Sequence, residues 1–358
     1  MHTSHMTRRT FLKVSGLTAG AFALGGLAAC AQQGGSQQPL STLADGREIP
    51  FDPEAAVVGE IAPANHTNHA GGGSTVYFTH DITPDMLTAI YVAVGKELTG
   101  KNIAVKLSVG EPGSNHLSTD LIAGLVSAVH GTIVECNTAY DGPRDNAESH
   151  YAVAADHGYS KIANFQIMDE NGSLGLPVSG GFHLTENLVG AHFPEYDGMV
   201  MLSHFKGHQM AGFGGALKNM SIGLASAAGK FRIHSAGAVD SGWPDTDTAL
   251  FQEAMADACK SVVDVLGDQI VYINVMNRLS VDCDCTGTPT EPKMADIGIL
   301  ASLDPVAVDQ ACVDLVYEAD DDSIDLISRI ETLNGEHVLE ASESLGIGNR
   351  SYELVELH

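Results

Sequence analysis

The stretch IAVKLSVGEPGSNHLSTDLIAGLVSAVHGTIVEC, residues 103–136, decides the fold. It opens with a mainly apolar run at 103–109, which has the composition of a buried strand, and passes through a polar loop. Apolar residues then recur at helical spacing over 117–129, and a second apolar run follows at 132–136. Continuous apolar strands joined by a helix are typical of parallel strands that are buried on both faces. The segment therefore predicts a strand–helix–strand unit.

The same alternation extends in both directions along the chain. Further strands are predicted at 76–79, 199–202, 270–275 and 297–301, and further helices at 84–98, 144–157, 246–266 and 305–317. No Pro-rich linker interrupts this part of the sequence. We therefore predict one α/β domain at 73–358, with a mostly parallel sheet covered by helices on both faces.

The N-terminal segment has the pattern of an export signal. Thr-Arg-Arg-Thr-Phe-Leu-Lys at 7–13 precedes a weakly apolar, glycine-rich run that ends in Leu-Ala-Ala-Cys at 27–30. This pattern resembles a twin-arginine signal peptide with a lipobox, which implies export of the folded protein and lipidation of Cys30. We predict a signal peptide at 1–30, a flexible tether at 31–72 and anchoring to the outer side of the cytoplasmic membrane. An ordinary core helix is the alternative interpretation of the apolar run.

The charge distribution predicts an anionic ligand. The formal net charge is −27, so the surface repels nucleic acid, and no nucleic-acid partner is expected. In contrast, residues 198–239 contain no acidic residue but include Lys206, Lys218, Lys230 and Arg232. A basic segment in an acidic protein favours a site for a small anionic ligand or cofactor. The alternative is a glycine-rich packing segment whose lysines lie at the surface.

Open parallel sheets bind ligands beyond the carboxyl ends of their strands, and polar loops follow the predicted strands. We expect the loops that follow the strands at 103–109, 132–136, 199–202, 270–275 and 297–301 to gather at one edge, and the last of these loops is 302–305. Glu111 and Lys206 are the candidate catalytic residues. The candidate residues for binding the anion or cofactor are Asn115, Asn137, Arg144, Gly214, Gly215, Lys218, Lys230 and His234.

Cys283 and Cys285 are the candidate metal ligands among the cysteines. They flank Asp284 in a polar loop, and residues two apart in an extended segment point the same way. With His204 and His208 they form a set that is typical of zinc or iron sites. A disulfide between them would close a small, strained ring. We therefore predict that the two loops meet around one metal ion.

The other cysteines of the mature chain, Cys136, Cys259 and Cys312, are predicted to be small buried apolar side chains. One disulfide among them stays open as an alternative outside the cytoplasm. No clustered C-x₂-C-x₂-C spacing occurs, so no ferredoxin-type iron–sulfur cluster is expected.

Several segments together resemble a known family. They are residues 105–106, 111–113, 137–140, 203–208, 213–219, 229–230, 234, 282–285, 296–302 and 304–307. The resemblance is to the bacterial and archaeal family of domain of unknown function 362, over roughly 74–357. Many members carry a ferredoxin-like insert shortly after the position of His234, which the segment 235–243 lacks. The resemblance implies the fold and no particular activity.

Two functional hypotheses follow from these features. The first is an extracytoplasmic lipoprotein that binds a metal or an anionic cofactor for redox or metal-dependent chemistry. The second is a non-catalytic solute-binding lipoprotein for a carboxylate or phosphate compound. The sequence leaves open whether the protein is an enzyme; if it is, a metal- or cofactor-dependent oxidoreductase fits the candidate residues.

The export signal makes a direct prediction. Replacing Arg8 and Arg9 with Lys removes the paired guanidinium groups and is expected to leave the precursor in the cytoplasm. Cys30→Ala removes the lipidation site and is expected to release an exported, soluble form. Fractionation of cells that express each variant measures both outcomes. Membrane association of both variants equal to that of the wild type would contradict the predicted signal.

Overall fold

The computed structural model describes residues 66–243, 245–319 and 322–358. The predicted signal peptide, Cys30 and the tether up to residue 65 lie outside the described residues. None of the described helices is long and apolar enough to cross a membrane.

Strands and helices alternate along the described chain. The strands are β1 (Ala70–Thr79), β2 (Ile103–Lys106), β3 (Thr132–Glu135), β4 (Phe165–Ile167), β5 (Ser173–Pro177), β6 (Glu186–Gly190), β7 (Gly198–His204), β8 (Lys206–His208), β9 (Gly212–Gly214), β10 (Ile270–Met276), β11 (Gly298–Ser302) and β12 (Tyr352–Glu356). The helices are α1 (Pro84–Ala93), α2 (Thr119–Ala128), α3 (Ala147–Asp156), α4 (Tyr159–Ile162), α5 (Ala216–Ser221), α6 (Ala227–His234), α7 (Thr248–Leu266), α8 (Pro305–Glu318), α9 (Ile324–Thr332) and α10 (His337–Ser344). A 3₁₀ turn lies at Phe193–Glu195.

One eight-stranded sheet organises these elements, in the order β12-β1-β11-β10-β7-β2-β3-β4. The central strands β10, β7, β2, β3 and β4 are parallel to one another. Within this sheet only β11 is antiparallel to its neighbours, β1 and β10. The predicted α/β class with a mostly parallel sheet is therefore confirmed.

Side chains on alternate strand positions enter two separate cores, which explains why the strands read as continuous apolar runs. Ala104 and Met201 belong to one core, whereas Val105 and Leu202 belong to the other. Helices α1 and α2 cover the second core, and α5, α7 and α8 cover the first. Burial on both faces leaves the strand ends as the places where polar side chains collect.

The reversed direction of β11 corrects one expectation about the sheet edge. Met276, at the end of β10, pairs with Gly298 at the start of β11, so the loop 277–297 begins and ends at the carboxyl edge of β10. The end of β11 lies at the opposite edge. There Asp304 caps α8 by accepting hydrogen bonds from the Val306 and Ala307 amides at 2.9 and 3.0 Å. The segment 302–305 is thus structural, and the loop 277–297 stays beside the other carboxyl ends.

The folded domain begins before residue 73. Strand β1 starts at Ala70, inside the segment predicted as a tether. The His66 imidazole also contacts the domain, at 3.0 Å from Asp314 and 2.8 Å from Glu336. These contacts attach residues 66–72 to the domain, and the glycine-rich start of β1 pairs with β12.

Candidate functional site

A pocket of about 170 Å³ lies where β2, β3 and β7 end, beneath the loop 277–297. We call it the carboxyl-edge pocket. The predicted site residues that line it are Arg144, His204, Lys206, His208, Gly214, Gly215, Lys218, Lys230, His234, Cys283 and Cys285. The rule that ligands bind beyond the carboxyl ends of parallel strands therefore located the pocket.

A short hairpin brings Lys206 and His208 into the pocket wall. Strand β8 pairs antiparallel with β9, and Lys206 and His208 face Gly214 and Gly212 across it. Gly212 has a φ of 83°, and a Cβ there would lie 2.8 Å from the Gly335 Cα atom. Both the left-handed backbone and the close approach require glycine at this position. The two side chains, two residues apart, therefore lie on the same side of β8.

Three of the pocket's cations have carboxylate partners. The Lys106 ammonium lies 2.7 Å from Glu135 Oε1, and Lys206 Nζ lies 2.5 Å from Asp284 Oδ2. The Arg144 guanidinium donates through Nε to Glu111 Oε1 at 2.9 Å. All of these side chains are buried, so each pair compensates for the removal of its charges from water.

Lys218 and Lys230 differ from these paired cations. Neither ammonium forms an ion pair with any residue in the described ranges. Lys230 Nζ donates to the Ala225 carbonyl at 2.5 Å. For the Lys218 amine the described part of the chain offers no hydrogen-bond partner. Five cationic side chains but only two carboxylates, Glu135 and Asp284, line the described pocket, so positive charge is in excess.

The surroundings of Lys218 favour its neutral form. Burial lowers the pKa of this amine most, and the positive charge of Lys206 lowers it further, to about 7. Lys106 acts in the same direction, whereas Glu135 and Asp284 act in the opposite one. The Lys218 side chain therefore changes its charge near neutral pH.

Asp284 is the acceptor that joins the loop 277–297 to the sheet. Its carboxylate accepts from Lys206 Nζ and faces His204 Nδ1 at 3.0 Å. Burial alone raises the pKa of this carboxyl, but the Lys206 ammonium and the His204 imidazole outweigh it and hold the pKa well below its usual range. Its backbone carbonyl also accepts from the Glu111 amide at 2.7 Å.

The cysteine loop and the histidine loop meet, with two differences from the predicted metal site. A ring nitrogen of His208 and the sulfur atoms of Cys283 and Cys285 all lie within 4.8 Å of one another. The two cysteines, however, are joined in a disulfide rather than present as thiolates. His204 stands apart from this group, because its Nδ1 faces Asp284 and its Nε2 donates to the Asn277 carbonyl at 2.6 Å.

His208 is held as a neutral imidazole. Its Nδ1 accepts from the Met210 and Ala211 amides at 3.3 and 3.0 Å, which leaves the ring proton on Nε2. Burial, reinforced by the Lys218 cation, places the pKa of His208 well below its ordinary value. The other cysteines, Cys136, Cys259 and Cys312, are free and buried.

Three predicted site residues lie outside the pocket wall. Glu111 lies behind it, where Oε1 accepts from Arg144 and from the Tyr140 hydroxyl, and so positions these two side chains. The backbone amide of Asn137 donates to Asp169 Oδ1 at 2.8 Å, and the backbone carbonyl of Asn115 accepts from Arg278. The structure thus gives Glu111 contacts with protein partners rather than with the pocket.

Backbone amides next to the glycine-rich segment donate hydrogen bonds to a carboxylate of the protein itself. The Ala216 and Leu217 amides, which follow Gly215, donate to the Asp309 carboxylate at 2.7 and 2.9 Å. Burial raises the pKa of Asp309 to about 6 in spite of these donors. Gly214 and Gly215 therefore form part of the pocket wall, but the amides that follow them are hydrogen-bonded to Asp309 and not directed to a ligand.

Sequence reasoning missed Lys106, Glu135 and Asn219, which all line the pocket. Asn219 Oδ1 accepts from Lys106 Nζ at 2.9 Å, and its Nδ2 donates to the Lys106 carbonyl at 3.1 Å. Lys106 and Glu135 each interrupt an otherwise apolar strand. The sequence did contain a signal for this pair: a lysine ends one buried strand and a glutamate ends the next, and buried charges are rare unless they are paired.

The fold and site define an α/β protein with a cationic pocket at the carboxyl edge of a mostly parallel sheet. The chain belongs to the family described as Domain of unknown function (DUF362), whose model matches residues 103–314. This confirms the resemblance inferred from the sequence motifs. No curated protein sequence matches the chain significantly.

Two solved structures match this chain and share little sequence with it. The lactate racemase apoprotein from Thermoanaerobacterium thermosaccharolyticum matches with 13% identity and a TM-score of 0.41, over 68% of this chain and 57% of that one. A structural-genomics target from Thermotoga maritima matches with 12% identity and a TM-score of 0.36, over 73% and 58%. The chain thus spans less than two thirds of the length of either structure.

The Asp284 contacts predict a large effect on stability. Asp284→Asn leaves the Lys206 ammonium buried without a counter-charge and is expected to lower the free energy of unfolding by about 3–5 kcal/mol. Asp264→Asn is the matched control, because Asp264 pairs with Lys260 at the surface, where a loss of about 1 kcal/mol or less is expected. Urea denaturation of the folded domain measures both. Equal losses for the two variants would show that Asp284 is not a structural anchor.

Proposed function

We propose that the carboxyl-edge pocket binds a small anionic ligand, a carboxylate or a phosphate compound. The observation that carries this proposal is the charge excess of the pocket. Lys218 and Lys230 have no carboxylate partner among the described residues, although the other lining cations do. The chain as a whole is strongly acidic, so this local excess stands out against its surroundings.

The physical argument concerns the cost of burying like charges. Removing an ammonium group from water costs several kcal/mol unless an opposite charge lies beside it. Carboxylates supply that charge for Lys106 and Lys206, whereas a bound anion would supply it for Lys218 and Lys230. An anion would also reverse the effect of Lys206 on Lys218 and favour protonation of the Lys218 amine.

Uncharged groups in the wall would help to orient such a ligand. The Trp243 Nε1–H is buried and makes no hydrogen bond with any described residue. The same indole packs edge-on against His234, with ring centroids 4.8 Å apart. It therefore combines an apolar surface with a free donor at the pocket.

Isothermal titration with oxalate and with inorganic phosphate tests the proposal. Lys218→Met is expected to weaken binding about tenfold or more, equivalent to about 1.4 kcal/mol. The matched control is Lys161→Met, which removes the same charge from an exposed position. Oxalate keeps its charge between pH 6 and 8.5, so the pH dependence reports on the protein. Because protonated Lys218 attracts the anion, affinity should fall as pH rises through about 7. The proposal would be contradicted if neither oxalate nor phosphate bound, or if Lys218→Met and Lys161→Met bound them with equal affinity.

A metal ion is the second candidate, and it rests on the grouping of His208, Cys283 and Cys285. The residues do not fit a metal in the disulfide form, since its sulfurs carry no thiolate charge and His208 Nδ1 already accepts two amides. Reduction would supply two thiolates, the ligands that zinc and iron accept. His208 would add a third ligand after a change of tautomer.

Metal analysis of the oxidised and reduced protein tests this candidate. Exposure to Zn²⁺ followed by gel filtration is expected to leave one ion per chain only after reduction. The double variant Cys283→Ser with Cys285→Ser should no longer retain zinc. Cys312 is a free, buried cysteine elsewhere in the fold, so Cys312→Ala should retain it. Zinc retained by the oxidised protein, or retained by the double variant, would refute a site built on these cysteines.

We further propose that the pocket operates outside the cytoplasm on a lipid-anchored protein. The support is the signal-like sequence at residues 7–30, and the fractionation experiment described above tests it. A folded domain with its own pocket suits a route that exports folded proteins.

A further inference from the structure

We propose that Lys218 is a nucleophile that forms an imine with a carbonyl compound carrying an anionic group, such as a 2-oxo acid. This inference rests on the proposed function, because the excess positive charge of the carboxyl-edge pocket would hold the anionic group. It goes beyond that function by assigning a covalent step and a substrate class to one side chain.

Three of the four lysines in the pocket are engaged by protein groups. Lys106 Nζ contacts Glu135 and donates to Asn219 Oδ1 at 2.9 Å. Lys206 Nζ donates to Asp284 and to the His204 carbonyl at 2.9 Å. Lys230 Nζ donates to the Ala225 carbonyl.

Lys218 is the remaining lysine, and its amine contacts no hydrogen-bonding partner in the described part of the chain while lining the cavity. Its aliphatic stem runs beside Gly214, where an added Cβ would lie 3.7 Å from Lys218 Cδ. A methyl group at Gly214 would thus touch the stem at an ordinary van der Waals distance, and glycine leaves that volume empty. The amine therefore has space and no competing partner.

The charges around Lys218 favour the reactive form of the amine. Only the unprotonated amine can attack a carbonyl carbon, and a lysine that is desolvated beside other cations provides it near neutral pH. Burial and Lys206 lower the pKa of Lys218 to about 7. When Lys218 is neutral, Lys230 is still a lining cation without a carboxylate partner among the described residues, and it would attract the anionic group of the substrate.

The step balances without an oxidant or a metal. The Lys218 nitrogen forms a bond to the carbonyl carbon as the carbon–oxygen π bond breaks, and a proton from the amine passes to the oxygen to give a carbinolamine. Loss of water then breaks the carbon–oxygen bond and leaves a carbon–nitrogen double bond. Overall, one amine and one carbonyl give one imine and one water.

Reductive trapping tests the inference on the wild-type protein. The protein is incubated with pyruvate or 2-oxoglutarate, treated with sodium borohydride and digested for peptide mass spectrometry. Hydride addition to the imine carbon yields a stable secondary amine. The expected result is one adduct per chain, located on Lys218 and not on Lys106, Lys206 or Lys230. Lys218→Arg keeps a positive charge and should abolish the adduct, whereas Lys161→Met should leave the yield unchanged.

The outcomes separate this inference from the proposed function. Trapping yield should rise as pH increases through about 7, opposite to oxalate affinity, because attack on the carbonyl needs the neutral amine, whereas oxalate binds more tightly when the amine is charged. Oxalate binding without any Lys218 adduct would overturn the imine and leave the anion site intact. Absence of both would overturn both. An adduct that persists in Lys218→Arg, or that lies on surface lysines, would also refute the assignment.

Discussion

The pocket depends on the buried contact of Asp284 with Lys206 and His204. One carboxylate joins the loop 277–297 to the end of β7 and to the hairpin of β8 and β9. The loop carries no regular secondary structure around residues 283–285, so hydrogen bonds and ion pairs must fix its path. Because breaking a buried ion pair leaves an uncompensated charge, this contact holds the disulfide beside His208.

The remaining cations are organised by the same principle of charge compensation. Lys106 and Arg144 are fixed by Glu135 and Glu111, which sit at the ends of strands or just beyond them. In these pairs the carboxylate compensates the charge of the cation, so neither cation needs a bound ligand to balance it. Lys218 has no such partner and adjusts instead through its pKa. The pocket therefore contains cations that carboxylates compensate, Lys230 without such a partner in the described chain, and Lys218, whose charge depends on pH and on what is bound.

The sequence predicted the parts of this arrangement that follow from periodicity and topology. Apolar runs such as 103–109 identified the central strands, and the strand-end rule placed Lys206, His208 and Cys283 at one edge. The direction of β11 could not be predicted, because an apolar run has the same pattern in either direction. Lys106 and Glu135 were missed because the strands containing them were interpreted as purely apolar.

The sequence could not predict whether Cys283 and Cys285 form a disulfide, for a different reason. Two cysteines separated by one residue can form a disulfide or present two thiolates, and spacing alone does not choose between them. The spacing also could not show which histidine lies beside the two sulfur atoms. That depends on the groups that surround His204 and His208 in the folded protein. The His204 ring contacts the Asp284 carboxylate, whereas the His208 ring lies beside the sulfur atoms.

The state of the cysteine pair and the charge of the ligand site are linked by electrostatics. The disulfide is neutral, so the positive excess of the pocket is undiminished and an anion is attracted. Reduction followed by ionisation would place two negative charges in the same wall. These charges would raise the pKa of the Lys218 amine and weaken both its nucleophilicity and the attraction of an anion to the pocket. A divalent metal bound to both thiolates would cancel their charge and restore the positive excess. The anionic-ligand and metal hypotheses are therefore compatible: the disulfide and the metal–thiolate forms both preserve the electrostatics on which ligand binding depends, and the free dithiolate does not.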